Sequence, residues 1–143
     1  MPKVISSLIK NKGIRGQGSG ESDSRSSIKS FRDLIVWKKA MEFIIIIYRI
    51  SREFPKEESY GLTNQIRRAA VSIASNIAEG HSRDSKAEFR HFLSYSKGSL
   101  AEVETQLLIA QGLDYVTAED LIPAYELREE ISKMIYTLSK KLA

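Results

Sequence analysis

The stretch from Gly61 to Glu104 constrains the fold of this 143-residue chain most tightly. Within it, Ile66, Ala70, Ile73 and Ile77 recur at helical spacing and lead up to Gly80. Ser85-Lys86-Ala87-Glu88 then has the form of a capping box, so a second helix opens there. Phe89, Phe92, Leu93, Ser96, Leu100, Val103, Leu107 and Ala110 give that helix its core face. The pattern predicts helices over about residues 62–79 and 86–111, with Gly80 as a left-handed stop between them. Ser94, Gly98, Ala101 and Thr105 form a second stripe of small residues at helical spacing. Gly98 costs about 1 kcal/mol of helix propensity relative to alanine. Close packing against a neighbouring helix would offset that cost, so the stripe is expected to be covered.

Two further helices flank this pair. Ser30 is a suitable cap for a helix over about residues 31–53, which holds no Pro or Gly and ends before Pro55. Residues 118–141 repeat the pattern through Leu127, Ile131, Met134, Ile135 and Leu138, with Pro123 placed where only a helix start tolerates it. Four helices joined by short connections predict an all-α, antiparallel up-down-up-down bundle over residues 30–143. In the first helix the run Phe43–Ile47 is apolar all the way round. One contact inside a bundle does not hide such a girdle. The reading is therefore self-association, with Phe43, Ile44, Ile46 and Ile47 as the oligomer interface.

Charge is distributed unevenly. The formal net charge of +4 lies wholly within residues 1–30, which carry six basic against two acidic side chains, while the rest of the chain is balanced. Residues 1–29 alternate glycine and serine with charge and read as a flexible basic tail. A basic tether for RNA, DNA or an acidic partner is the functional reading of that tail. The apolar run Val4–Ile9 is interrupted by Ser6 and Ser7 and makes a poor secretory signal. With no cysteine, the chain has no disulfide framework and no thiolate chemistry, which fits a reducing cytoplasm. No apolar run approaches the roughly 20 residues of a membrane span.

Several motifs together carry a family resemblance. They are Gly61-Leu62, Gln65-Ile66-Arg67-Arg68-Ala69-Ala70-Val71-Ser72, Asn76-Ile77-Ala78-Glu79-Gly80, and Gly98-Ser99-Leu100 followed by Val103-Glu104. Phe31, Leu34, Val36-Trp37 and Ala40, with the turn through Pro55, Glu58 and Gly61, extend the match to about residues 28–142. The chain closely resembles the four-helix-bundle family first named for proteins encoded in intervening sequences of bacterial 23S rRNA genes. Ala74 stands where that family often has proline. The resemblance implies a left-handed bundle assembled as a ring-shaped homopentamer. A distant relative is the accessory protein of diversity-generating retroelements, which binds a reverse transcriptase and nucleic acid.

Candidate sites follow from the polar residues. Arg68, Ser72, Asn76 and Glu79 share one face of the second helix. Ser and Asn are poor interior helix residues, so they call for tertiary partners. Either they form a hydrogen-bond network between helices, with Gly80, Gly98 and Glu104 as its motif companions, or they face a partner or a ring's pore. Arg67, Arg68, Arg83, Lys86, Arg90 and Lys97 outnumber the acids around them and read as a phosphate-tracking band with His91 and Tyr95 as stacking groups. Pairing with the acidic stretch Glu102–Glu130 of a neighbouring subunit is the other reading of the band. His81, Asp84, Glu88 and His91 lack the spacing of a known metal set. Nothing supplies a nucleophile with its base or a cofactor loop, so no catalytic, metal or cofactor residues are assigned and none of these groups is expected. The leading expectation is a non-catalytic oligomeric scaffold that binds nucleic acid, a protein partner such as a reverse transcriptase, or both. The alternative is a structural or protein-interaction module without nucleic-acid affinity.

Overall fold

A computed structural model describes residues 28–143. Of the expected tail over residues 1–29, residues 1–27 lie outside the described residues. Four helices carry the fold: α1 (Ile35–Ser51), α2 (Leu62–His81), α3 (Lys86–Gly112) and α4 (Ile122–Lys141). No strand occurs among the described residues, and no described helix is long and apolar enough to cross a membrane. Packing is antiparallel and up-down-up-down. Helix α2 lies against α1 and α3, α4 lies against α1, and α3 and α4 meet least closely. Phe43, Ile47, Ile66, Ile73, Ile77, Leu93, Leu107, Leu121 and Ile131 are fully buried along the common axis.

The first helix starts later than its spacing predicts. Ser30 does form a capping box, but with Asp33, whose carboxylate accepts from the Ser30 N–H at 3.3 Å. That box closes only a 3₁₀ turn, Phe31–Asp33. Leu34 is then extended (φ −71°, ψ 125°) and buried, and α1 begins after it. The apolar girdle is also corrected. Phe43 and Ile47 are completely buried and Ile44 nearly so, while Ile45 and Ile46 are half-buried. Helices α2 and α4 cover α1 from two sides, so the girdle needs no second copy of the chain. Phe43, Ile44 and Ile47 thus belong to the core and leave the predicted oligomer interface, and Ile46 packs against that core.

Gly80 is not the left-handed stop that its position predicts. Gly80 lies inside α2, which continues to His81. A Cβ at Gly80 would stand 2.7 Å from Phe92 Cβ and 3.2 Å from the Phe89 carbonyl oxygen, so the missing side chain admits α3. Gly112 is the last residue of α3, and the left-handed position falls to Asp114 (φ 61°), a residue type that tolerates it. Its neighbour Tyr115 donates its backbone N–H to Ala110 O at 2.9 Å.

The small-residue stripe faces solvent. Ser94, Gly98, Ala101 and Thr105 are all exposed, and a Cβ at Gly98 would meet nothing within 4 Å. Gly98→Ala is therefore expected to raise the unfolding free energy by about 0.5–1 kcal/mol, since it removes backbone entropy from the unfolded chain at no steric cost. Urea melts of the two proteins measure this; a lower midpoint for the alanine variant would mean that something packs on the stripe.

One end of the bundle is clamped by Glu58. Its Oε1 accepts from the Leu62 N–H at 3.1 Å, capping α2, and its Oε2 accepts from the Tyr115 hydroxyl at 2.8 Å. The carboxylate bond holds the Tyr115 phenol above its ordinary pKa. Gly61 leaves room for that carboxylate, because a Cβ there would lie 2.7 Å from Glu58 Oε1. Before α4, Thr117 and Asp120 exchange bonds: the Thr117 N–H donates to Asp120 Oδ2 at 2.9 Å and the Asp120 N–H to Thr117 Oγ1 at 3.2 Å. The Thr117 backbone bond, more than its hydroxyl, lowers the Asp120 pKa. With its folded pKa depressed, this cap stabilises above the unfolded value and loses that contribution as pH falls through the folded one.

Candidate functional site

The polar face of α2 divides between two jobs. Asn76 Nδ2 donates to Ser72 O at 2.8 Å and to Ser72 Oγ at 2.9 Å. Ser72 Oγ in turn lies 2.9 Å from Ser99 Oγ on α3. A second stitch runs from the fully buried Ser96 Oγ to the Ile73 carbonyl at 2.8 Å. Ser72 and Asn76 thus belong to a network that joins α2 to α3, through Ser99 and not by a direct bond from Asn76. Ser99 was not foreseen as its partner. Beyond its place in the Gly98-Ser99-Leu100 motif, its sequence signal is position: three residues after Ser96 and one before Leu100, it borders the core face.

The other motif residues lie apart from this network. Glu79 accepts from Arg83 Nη2 at 2.8 Å, and Glu104 pairs with Arg128 of α4 at 3.0 Å. Gly80 makes the α2–α3 close approach, and Gly98 stands in solvent. Both ion pairs are exposed enough for water to screen most of their energy.

The six basic residues do not form one band. Arg67 turns toward α1, where Nε donates to Ser51 Oγ at 2.8 Å and Nη2 to Tyr48 O at 3.4 Å. Its guanidinium also lies 4.8 Å from the centre of the Tyr48 ring. Through these contacts it ties α1 to α2. Arg83 is held by Glu79 and lies 4.9 Å above the Phe92 ring. Arg68, Lys86, Arg90 and Lys97 are exposed, and none forms an ion pair among the described residues. Lys86, Arg90 and Lys97 follow one another down the outer face of α3. Arg68 sits instead in a cleft of about 420 Å³ between α2 and α3, beside Asn64, Gln65, Glu102 and Gln106.

His91 and Tyr95 are neighbours, with Nε2 and the hydroxyl oxygen 2.6 Å apart, and Tyr95 meets Phe92 edge-on at 5.6 Å. His81 packs edge-on against Phe89 at 5.7 Å. No group of three or more His, Cys, Asp or Glu placed to hold a metal occurs among the described residues. Burial, with the nearby Glu104 charge, pushes the Tyr125 phenol up. The Lys39 ammonium is raised by its bond to Glu130, 3.1 Å away.

Four antiparallel helices, stitched by hydroxyls and a glycine contact, define a four-helix-bundle protein. The chain belongs to the family described as 23S rRNA-intervening sequence protein, which it matches over residues 32–137. Among solved structures it is similar to a protein of unknown function from the S23 ribosomal protein family of Bacteroides thetaiotaomicron. That likeness has 25% identity and a TM-score of 0.68, and it covers 74% of this chain and 99% of the other. No curated protein matches the chain.

Proposed function

We propose that this chain is a non-catalytic subunit of a cytoplasmic homo-oligomeric scaffold that presents cationic helix faces to nucleic acid as an accessory factor. Five copies per assembly is the number that the family resemblance implies. The observation that carries the reading is a group of exposed aliphatic side chains. Leu108 and Ile109 on the last turns of α3, Leu113 just after it, and Ile122 at the start of α4 are about half exposed (54%, 46%, 52% and 51%). Single exposed aliphatics are ordinary, but four at one helical hairpin favour a protein partner. They take over the role first read into the girdle of α1. Arg68, Lys86, Arg90 and Lys97 supply the charge that would attract phosphate.

Light scattering coupled to gel filtration tests the assembly. The intact protein is expected at about five times the 16.2 kDa chain mass. A variant carrying Leu108→Glu and Ile109→Glu should dissociate at least ~30-fold more readily, about 2 kcal/mol, with its helicity by circular dichroism unchanged. A wild-type protein that elutes as a single chain at every working concentration would sink the scaffold.

A second reading, an interaction module with no nucleic-acid affinity, is favoured by the exposed acids Glu119, Asp120, Glu126 and Glu129. They lie on and before α4, where the cationic α3 of a neighbouring copy would meet them.

A further inference from the structure

Toward the C-terminal end of α4 a cleft of about 550 Å³ opens along the α3–α4 seam. Lys97 lines it from α3, and Ser132, Lys133, Tyr136, Thr137 and Ser139 line it from α4. Tyr136 is 61% exposed, and Lys140 Nζ stands 4.8 Å from its ring centre. The Glu104–Arg128 contact, 3.0 Å long, marks the antiparallel register of the two helices. At equal rise per residue, that register brings residues 89–101 level with residues 131–143. The first segment carries Arg90 and Lys97 and the second carries Lys133, Lys140 and Lys141; neither holds a side-chain carboxylate. Glu129, at the edge, reaches Lys133 only at 3.8 Å between two well-exposed side chains. The seam is therefore cationic from both walls, lined with hydroxyl donors, and furnished with one exposed aromatic ring.

We propose that this seam binds single-stranded nucleic acid, with phosphates on Lys97, Lys133 and Lys140, hydroxyl bonds from the serine and threonine side chains, and a base stacked on Tyr136. The proposal rests on the nucleic-acid part of the reading above, keeps Lys97 from it, and adds Lys133, Lys140 and Tyr136. A groove that tracks the backbone with positive charge and offers a stacking ring is what a sequence-tolerant strand contact needs. An acidic protein surface would use the lysines but would leave the ring without a purpose, so the strand is the better fit.

The test is fluorescence anisotropy of a labelled 15-nucleotide oligothymidine titrated with the full chain over a range of salt. All variants keep the basic residues 1–27, so their contribution cancels. Lys133→Glu with Lys140→Glu is expected to weaken binding at least tenfold at low salt and to flatten the salt dependence, because each lost phosphate contact removes about 0.7 from the logarithmic slope. Tyr136→Ala should weaken it about five- to tenfold with the slope unchanged. Arg52→Glu with Lys56→Glu, both exposed near the α1–α2 turn and outside the seam, should lose less than threefold. If that last pair abolishes binding and the seam variants keep it, the seam is overturned while the nucleic-acid reading stands. If the wild type fails to bind at low salt, both fall. Should the seam variants instead break into single chains by light scattering, the groove joins copies of this protein and the strand proposal is again overturned.

Discussion

Phe43→Ala is expected to lower the unfolding free energy by about 3–5 kcal/mol while leaving the native assembly mass unchanged. The ring has no exposed surface and sits on the face of α1 that also holds Val36, Ala40, Ile44, Ile47 and Ser51. Alanine would remove the transfer free energy of the ring and leave a cavity in the buried cluster to which the ring belongs. A domain of this size has roughly 5–15 kcal/mol in total, so the variant would stand near the edge of folding. With a slope of about 1–3 kcal/mol/M in urea, the midpoint should fall by at least ~1 M. Urea melts and light scattering on the same samples decide the matter. A lower mass with an unmoved midpoint would return Phe43 to an interface between copies.

That residue also shows where the sequence stops being informative. The four helices were legible because 3.6-residue spacing and caps are local signals, and six of the eight helix ends fall within two residues of their expected places. How much of a helix's circumference is covered is not local. The girdle looked impossible to hide because one neighbour was counted, whereas α1 has α2 on one side and α4 on the other. The basic residues are spread over several faces for a related reason. Arg67 and Arg68 are adjacent in the chain, but 100° of rotation sends one into Ser51 and Tyr48 of α1 and the other into the α2–α3 cleft. Lys133 and Lys140 went unnoticed as company for Lys97, because only the α3–α4 register brings them level. In the polar network the residue types were informative: Ser72 and Asn76 demanded partners, and their helix has them. Which atom on α3 would answer was not readable.

The two helical glycines invert their expected roles, and the sharpest consequence is that the same substitution should have opposite effects at each. Gly80→Leu is expected to destabilise the chain by at least ~2 kcal/mol. Leucine would gain roughly 0.8–1 kcal/mol of helix propensity over glycine. Against that gain, its Cβ alone would meet Phe92 Cβ at 2.7 Å, Phe89 Cδ1 at 3.0 Å and Phe89 O at 3.2 Å. Two of those three atoms are fixed to the backbone, so no side-chain rotation relieves them, and the first turns of α3 must move. Overpacking of this kind costs typically 1–3 kcal/mol for modest insertions, and leucine adds three more carbons to the same spot. Moving α3 also stretches the Ser72–Ser99 contact and the Ser96–Ile73 stitch farther along the same pair of helices. Gly98→Leu meets open solvent and keeps its propensity gain, so it should melt at or above the wild-type midpoint. Paired urea curves for the two variants test this directly. If Gly80→Leu melts with or above the wild type, α2 and α3 do not approach as closely as the glycine contact requires.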